Sequence, residues 1–257
     1  MNEFLRFKYF LNYQWRAKTK YYLHSPFVYQ FYLNVLEGNN EVPLQTMDKL
    51  RKQLRQDNSI AAINDLGTGG TTSKTIAALE SKVAVRPKYG LLLYRLVKYF
   101  KPEYILELGT SIGLSSLYMA LANEEAKITS LEGATGLIER AKKNYTALSV
   151  TNITNHTGDF DDLLPALLQT LPTLDLVFFD GNHKKEATLK YFALCLEKAN
   201  DKTIFIFDDI YWSQEMNEAW TEIKTHSQIT LAMDVFQFGI CFFRKEKLAK
   251  EEFVLRY

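Results

Sequence analysis

An α/β fold follows from three features of this 257-residue sequence. Short apolar runs recur along it, segments of helical period separate them, and glycines or acidic residues stand where the runs end. Buried strands that alternate with helices indicate a parallel sheet covered on both faces. Five strand–helix units and a closing hairpin predict a doubly wound, seven-stranded sheet. It is mostly parallel, ends in an antiparallel terminal hairpin, and carries an N-terminal helical extension.

The elements can be justified in order. Residues 1–36 read as helical, with Ser25 as an N-cap and Pro26 in the first helical position. A second helix over residues 43–56 follows Pro43. Residues 57–75 are turn-rich, holding Asp65, Gly67, Gly69 and Gly70. From Pro87 onward, Leu92, Leu96, Tyr99 and Phe100 recur at helical spacing. Strands are expected at 104–108, 127–131, 152–157, 174–179 and 203–207, with helices at 134–148, 162–169, 184–196 and 213–224. Two final strands, 229–235 and 238–243, have no helix between them. The chain thus divides into an extension, residues 1–84, and a Rossmann-like body, residues 85–257.

Composition narrows the function classes. Hydrophobic residues at 47% and charged residues at 24% describe an ordinary globule, not a disordered chain. Lys and Arg number 31 against 30 Asp and Glu, which leaves no global field for nucleic acid. Cys195 and Cys241 form no CxxC, so a reduced, cytoplasmic setting is expected. The N-terminus has no continuous apolar core of a secretory signal. Residues 104–122 carry Glu107 as their only charge, but Gly109, Thr110, Ser111 and Gly113 make them a strand, turn and helix, not a membrane span. Residues 1–36 hold twelve of the aromatic residues, together with Arg6, Lys8, Arg16, Lys18 and Lys20 against Glu3 alone. The favoured use of this basic aromatic arm is packing glue between helices and sheet. A substrate lid, a homodimer arm, or a surface for anionic lipid are the alternatives.

In doubly wound sheets the ligand sits beyond the carboxyl ends of the strands. The motif Glu107-Leu-Gly109-Thr110-Ser111-Ile-Gly113 stands at such an end and opens a helix. Its glycines permit a tight turn and a close backbone approach. Glu132 ends the next strand, where a carboxylate can accept hydrogen bonds from ribose hydroxyls. The pattern is GxxxG after an acidic residue, not the dinucleotide GxGxxG. Glu107 would repel a pyrophosphate and attract an ammonium, which suggests a nucleoside carrying an amino acid: S-adenosylmethionine. Asp180 ends the fourth strand, and Asp208 and Asp209 end the fifth. Three carboxylates on neighbouring strand ends would repel one another and call for a cation. Oxygen ligands with no nearby Cys suit Mg²⁺. His183, three residues after Asp180, is placed to accept a hydroxyl proton. The plainer alternatives are that Asp208 and Asp209 cap the helix after Ser213 and that His183 is a capping or surface histidine.

On these motifs the sequence from Val85 to Phe243 resembles the class I S-adenosylmethionine-dependent methyltransferases, in particular the metal-dependent O-methyltransferases. Gly90, the ELGTSIGLSS stretch, Glu132, Gly158, FFDGNH and the Asp pair occur in the family's order and spacing. The resemblance implies that Glu107 and Gly109 lie near the methionine amine, with Thr110 and Gly113 in the same turn. It places Ser111 and Ser115 near the carboxylate, and Glu132 and Gly133 at the ribose. Asp159 and Phe160 would flank adenine, Val85 would line the cofactor, and Asp180 would serve both cofactor and metal. Asp180-Gly-Asn-His183 with Asp208-Asp209 looks closer to macrocin-type sugar O-methyltransferases than to the catechol type. The implied acceptor is a small hydroxylated molecule. A metal-independent methyltransferase and a non-catalytic assembly protein that binds S-adenosylmethionine are the alternatives.

Two other motifs were weighed. Residues 67–75 nearly spell a P-loop, but Ser73 stands where the glycine before Lys74 is needed. Their expected use is a flexible loop near the active site, or a lid over it. A nucleic-acid amino-methylase would show an acidic or amide residue, two prolines and Tyr where this chain has Asp180 to His183.

Overall fold

A computed structural model of the chain describes residues 3–38, 43–64, 71–246 and 249–257. The Gly67–Gly70 loop, and with it the start of the P-loop-like motif, lies outside the described residues. In chain order the helices are α1 (Glu3–Arg16), α2 (Pro26–Phe31), α3 (Pro43–Gln56), α4 (Ile76–Lys82), α5 (Pro87–Phe100), α6 (Leu114–Ala122), α7 (Thr135–Ala147), α8 (Phe160–Thr170), α9 (Lys185–Leu196) and α10 (Gln214–Thr225). The strands are β1 (Ile60–Asn64), β2 (Thr71–Thr75), β3 (Tyr104–Leu108), β4 (Lys127–Glu132), β5 (Ile153–Thr157), β6 (Leu176–Phe179), β7 (Ile204–Phe207), β8 (Leu231–Asp234), β9 (Gly239–Phe242) and β10 (Glu251–Val254). The chain forms two compact units, residues 1–33 with 167–257, and residues 34–166. These units cut across the expected boundary at 84/85, because the first two helices pack with the C-terminal strands.

In the unit of residues 34–166, β3, β4 and β5 pair in parallel, as the apolar runs predicted. Helix α5 lies close on α6, since a Cβ on Gly90 would stand 2.1 Å from the Tyr118 ring. The turn-rich reading of residues 57–75 missed an antiparallel hairpin: Ile60 pairs with Thr75 through to Asn64 with Thr71. Its second strand, TTSKT, has no apolar period to read. It leads into α4, whose N-cap Thr75 accepts the Ala78 N–H at 3.2 Å.

In the other unit the strand order is β10-β8-β9-β7-β6. The expected hairpin is present, with β8 and β9 antiparallel. An eighth sheet strand, β10, was not foreseen; it runs parallel to β8 at the sheet edge. The aromatic core of this unit includes Phe178, Phe205, Phe207 and Phe238, all buried. Part of the N-terminal arm serves as the expected glue. The Tyr13 hydroxyl donates to the Leu255 carbonyl at 2.6 Å, and the Tyr32 hydroxyl donates to that of Arg256 at 3.0 Å. Tyr13 and Phe10 also pack on Phe236. Helix α2 starts at Pro26 as predicted, but Ser25 does not cap it: its hydroxyl reaches Glu251 at 3.4 Å. No helix among the described residues is long and apolar enough to cross a membrane.

Candidate active site

Apart from Asp180, the predicted cofactor residues lie in the unit of residues 34–166, most of them at or just after the carboxyl ends of β3, β4 and β5. Glu107, next to last in β3, is fully buried. The Ser116 hydroxyl donates to its Oε2, and so does that of Ser130, at 2.5 Å. Its other oxygen, Oε1, is buried and has no hydrogen-bond partner. An orphaned carboxylate oxygen costs free energy until a donor reaches it. Burial pushes the Glu107 carboxyl up to about 7, while the hydroxyls of Ser115, Ser116 and Ser130 offset part of that rise.

The turn after β3 is built for close approach. Gly113 has φ +78°, and a Cβ there would stand 2.5 Å from the Tyr145 ring. Any side chain would therefore meet both backbone strain and a clash. Glu132 holds this turn. Its Oε2 accepts the Ser111 N–H at 2.8 Å, and its Oε1 accepts the Ala134 N–H at 3.0 Å. The carboxylate still keeps lone-pair capacity for a ligand hydroxyl. Burial raises the Glu132 carboxyl, and the N–H groups of Ala134, Ser111 and Gly133 counter it. The Ser111 hydroxyl is buried without a partner, so it too has a bond to give.

Other predicted residues are engaged within the protein. The N–H groups of Gly109 and Thr110 both go to the Leu131 carbonyl, at 2.9 and 3.1 Å. The Thr110 hydroxyl lies 2.6 Å from that of Ser130. Thr110 thus ties β3 to β4 and has no free hydroxyl proton. Ser115 is buried on the first turn of α6 and acts on Glu107 together with the next residue, Ser116, whose hydroxyl donates to Oε2. Asp159 accepts the Asp161 N–H at 2.8 Å, just ahead of Phe160 at the start of α8. Val85 is buried, and its carbonyl accepts from Arg51.

The predicted metal and base residues lie in the other unit, at the ends of β6 and β7. Asp208 is buried, and Asp209 follows it with φ +54°. One amide joins the pair: Gln237 Nε2 donates to Asp208 Oδ1 at 2.8 Å and to Asp209 Oδ1 at 2.6 Å. Arg6 of α1 in turn donates to Gln237 Oε1 at 3.2 Å. Neither aspartate caps α10; Ser213 does, accepting the Met216 N–H at 3.1 Å. Asp180 faces His183, with Oδ1 3.6 Å from Nε2. His183 is not a helix cap, because Lys184 holds the N-cap position of α9, which has no side-chain cap. Burial pushes its imidazole below the ordinary value of 6.5, against the pull of the Asp208 charge. The expected convergence of three carboxylates is not seen. Among the described residues no three His, Cys, Asp or Glu side chains gather closely enough to hold a metal ion. Two converge, on the Gln237 amide, and Asp180 pairs with His183.

Residues 106–210, from β3 to the turn after β7, match the family model described as a methyltransferase domain. This chain carries a methyltransferase domain. A catechol O-methyltransferase of Niastella koreensis is 27% identical over 157 residues, covering 60% of this chain and 66% of that protein. A protein named as a probable O-methyltransferase in Mycobacterium tuberculosis is 28% identical over 175 residues, covering 60% and 74%. The first match thus spans just under two thirds of that relative's length. Among solved structures, the O-methyltransferase of Bacillus cereus in complex with SAH superposes with TM-score 0.58 at 18% identity, covering 84% of this chain and 96% of that one. TomG of Streptomyces achromogenes, involved in tomaymycin synthesis and solved with SAM, gives TM-score 0.55 at 22% identity, covering 64% and 83%. At these identities the likeness establishes the fold, which is that of the class I methyltransferases.

Ser116, Ser130 and Gln237, which sequence reasoning missed, make the hydrogen bonds that hold Glu107 and the Asp208–Asp209 pair. Ser130 had a faint signal, as a hydroxyl on the buried stretch of β4 beside Leu131. The raised Glu107 carboxyl has a consequence for stability. Its protonated form is stabilising below the ordinary 4.5, and that contribution is lost as pH rises from 4.5 through about 7. The unliganded methyltransferase should therefore lose urea resistance over that window. Glu107→Gln, which stays neutral, should flatten the loss.

Proposed function

We propose that this methyltransferase transfers the methyl group of S-adenosylmethionine to a hydroxyl of a small molecule, with His183 as base. The observation that carries the donor is Glu107 Oε1, a buried acceptor without a partner beside a glycine turn. It suits an ammonium, and Glu132 at the end of the adjacent strand suits a ribose. The relatives named for O-methylation support oxygen as the acceptor atom. His183 would take the hydroxyl proton while the oxygen lone pair forms the new O–CH₃ bond. The S–CH₃ bond breaks, and its electron pair stays on sulfur as a neutral thioether. The transfer is an in-line displacement, so alignment supplies most of the rate.

The donor set of Asp208, Asp209 and Asp180 is all oxygen, which fits Mg²⁺, and two of these carboxylates already turn toward one point. When bound, the ion would make an acceptor hydroxyl more acidic. A metal-independent reading also has an observation in its favour, because the Gln237 amide already satisfies both aspartates. Activity that survives a chelator would decide for it.

Calorimetry tests the donor half. Glu107→Gln should weaken S-adenosylmethionine by about tenfold or more, since a hydrogen bond between charged groups is replaced by a neutral one. Adenosine, which has no ammonium, should bind the variant as it binds the parent. Equal S-adenosylmethionine affinity in the two proteins would overturn this placement of the amine.

A further inference from the structure

The N-terminal arm is only half used as glue. Along α1, Tyr9, Phe10 and Tyr13 turn to the C-terminal elements, where Tyr9 lies 5.2 Å from Tyr211 between ring centroids. Phe4, Phe7, Leu11 and Trp15 point elsewhere. They are 78%, 58%, 53% and 88% exposed. At 100° per residue these four positions fall within an arc of about 80°, a single stripe along the helix. Two further exposed aromatics, Tyr21 and Tyr22, follow just after the helix. Large apolar side chains left in one contiguous exposed stripe mark an interaction surface.

The charge around the stripe indicates what covers it. Lys8 is exposed one turn along from Phe4, and Lys18 follows Trp15. At the end of α1 an open groove of about 440 Å³ is lined by Trp15, Arg16, Lys18, Tyr22, His24 and Arg256, with no acidic residue in its wall. A second copy of the chain docking face to face would set this basic surface against itself, and like charges repel. A surface that is negative and apolar together matches both features.

We propose that α1 and the groove after it are a membrane-binding surface for anionic phospholipid. Phe4, Phe7, Leu11 and Trp15 would enter the boundary between headgroups and acyl chains, with the helix lying in the plane of the bilayer. Trp and Tyr suit that boundary because they are apolar at one end and polar at the other. Arg16, Lys18 and Arg256 would hold a lipid phosphate in the groove. The contact is peripheral and reversible, and does not depend on the reaction proposed above.

Vesicle flotation of the full chain tests this. Binding to phosphatidylcholine vesicles containing about one third phosphatidylglycerol should be at least about tenfold stronger than to phosphatidylcholine alone, and should weaken as salt is raised. The double variant F7S/W15S should lose at least tenfold in vesicle binding with its melting temperature unchanged, because both side chains are exposed. K8E/K18E keeps the apolar stripe and should lose the preference for anionic vesicles. Equal binding to both vesicle types, or none, would overturn the proposal. So would a dimer in sedimentation equilibrium that F7S/W15S breaks, since the stripe would then belong to a second copy.

Discussion

His183→Asn should lower kcat by about 10²- to 10⁴-fold while S-adenosylmethionine affinity stays as it was. That range is the usual worth of a positioned general base. Three observations make His183 the candidate. It follows β6 of the parallel β6–β7 pair, its Nε2 is 3.6 Å from Asp180, and burial disfavours its charged form. A base must be neutral to accept a proton. Because the imidazole titrates below the ordinary 6.5, it is free at neutral pH. The sign follows: kcat/KM should be flat at neutral pH and fall only as pH drops through the depressed value, below 6.5. His183→Asn should abolish this acid limb, and added imidazole should restore part of the rate. A variant with parental kcat and an unchanged pH profile would remove His183 from the chemistry. Asp180→Asn should act more mildly and through His183, lowering kcat and shifting the acid limb, since a neutral amide no longer favours the imidazolium.

The parts of the fold that the sequence made legible are those with a physical period. Strands β3, β6 and β7 are buried along nearly their whole length, so they read as unbroken apolar runs. The hairpin strand β2 and the edge strand β10 do not. Their residues include TTSKT and EEFV, where backbone pairing and not side-chain burial makes the strand. The same division runs through the site. Glu107, Gly113, Glu132 and His183 are carried by local motifs at strand ends and could be named in advance. Ser116, Ser130 and Gln237 become functional only through partners far away in sequence or through a choice between adjacent hydroxyls. Gln237 meets Asp208 across 29 positions. Nothing local in Phe236-Gln237-Phe238 distinguishes it from a solvent-facing glutamine at a hairpin turn. The membrane stripe was ambiguous for a related reason. Aromatic content alone cannot separate the face that packs from the face that does not; only the burial of Tyr13 beside the exposure of Trp15 does so.

Glu80→Ala should destabilise the protein by about 3–5 kcal/mol, the cost of breaking a buried ion pair from one side. Glu80 is buried on α4, where Arg51 Nη1 reaches its Oε1 at 2.8 Å and Arg55 Nε its Oε2 at 2.8 Å. Burial pushes the Glu80 carboxyl up, but the hydrogen bonds and charges of Arg55 and Arg51 outweigh it and hold it below 4.5. Its contribution is therefore present above that value and is lost as pH falls through the depressed one. The two arginines are not equal partners. Arg55 is half exposed and can return to water, whereas the Arg51 side chain is 2% exposed and cannot. Removal of Glu80 strands a buried guanidinium whose Nε already has no hydrogen-bond partner. The site should feel this as well, because Arg51 also donates to the carbonyl of Val85, which the family resemblance sets beside the cofactor. S-adenosylmethionine affinity should drop with stability. Urea midpoints for Glu80→Ala and for the apolar double replacement R51M/E80L separate the causes. If an unpaired buried charge dominates, the double variant should recover most of the lost stability. If it is as unstable as Glu80→Ala, lost packing sets the cost instead. Its cofactor affinity should still be reduced, because methionine cannot donate to Val85.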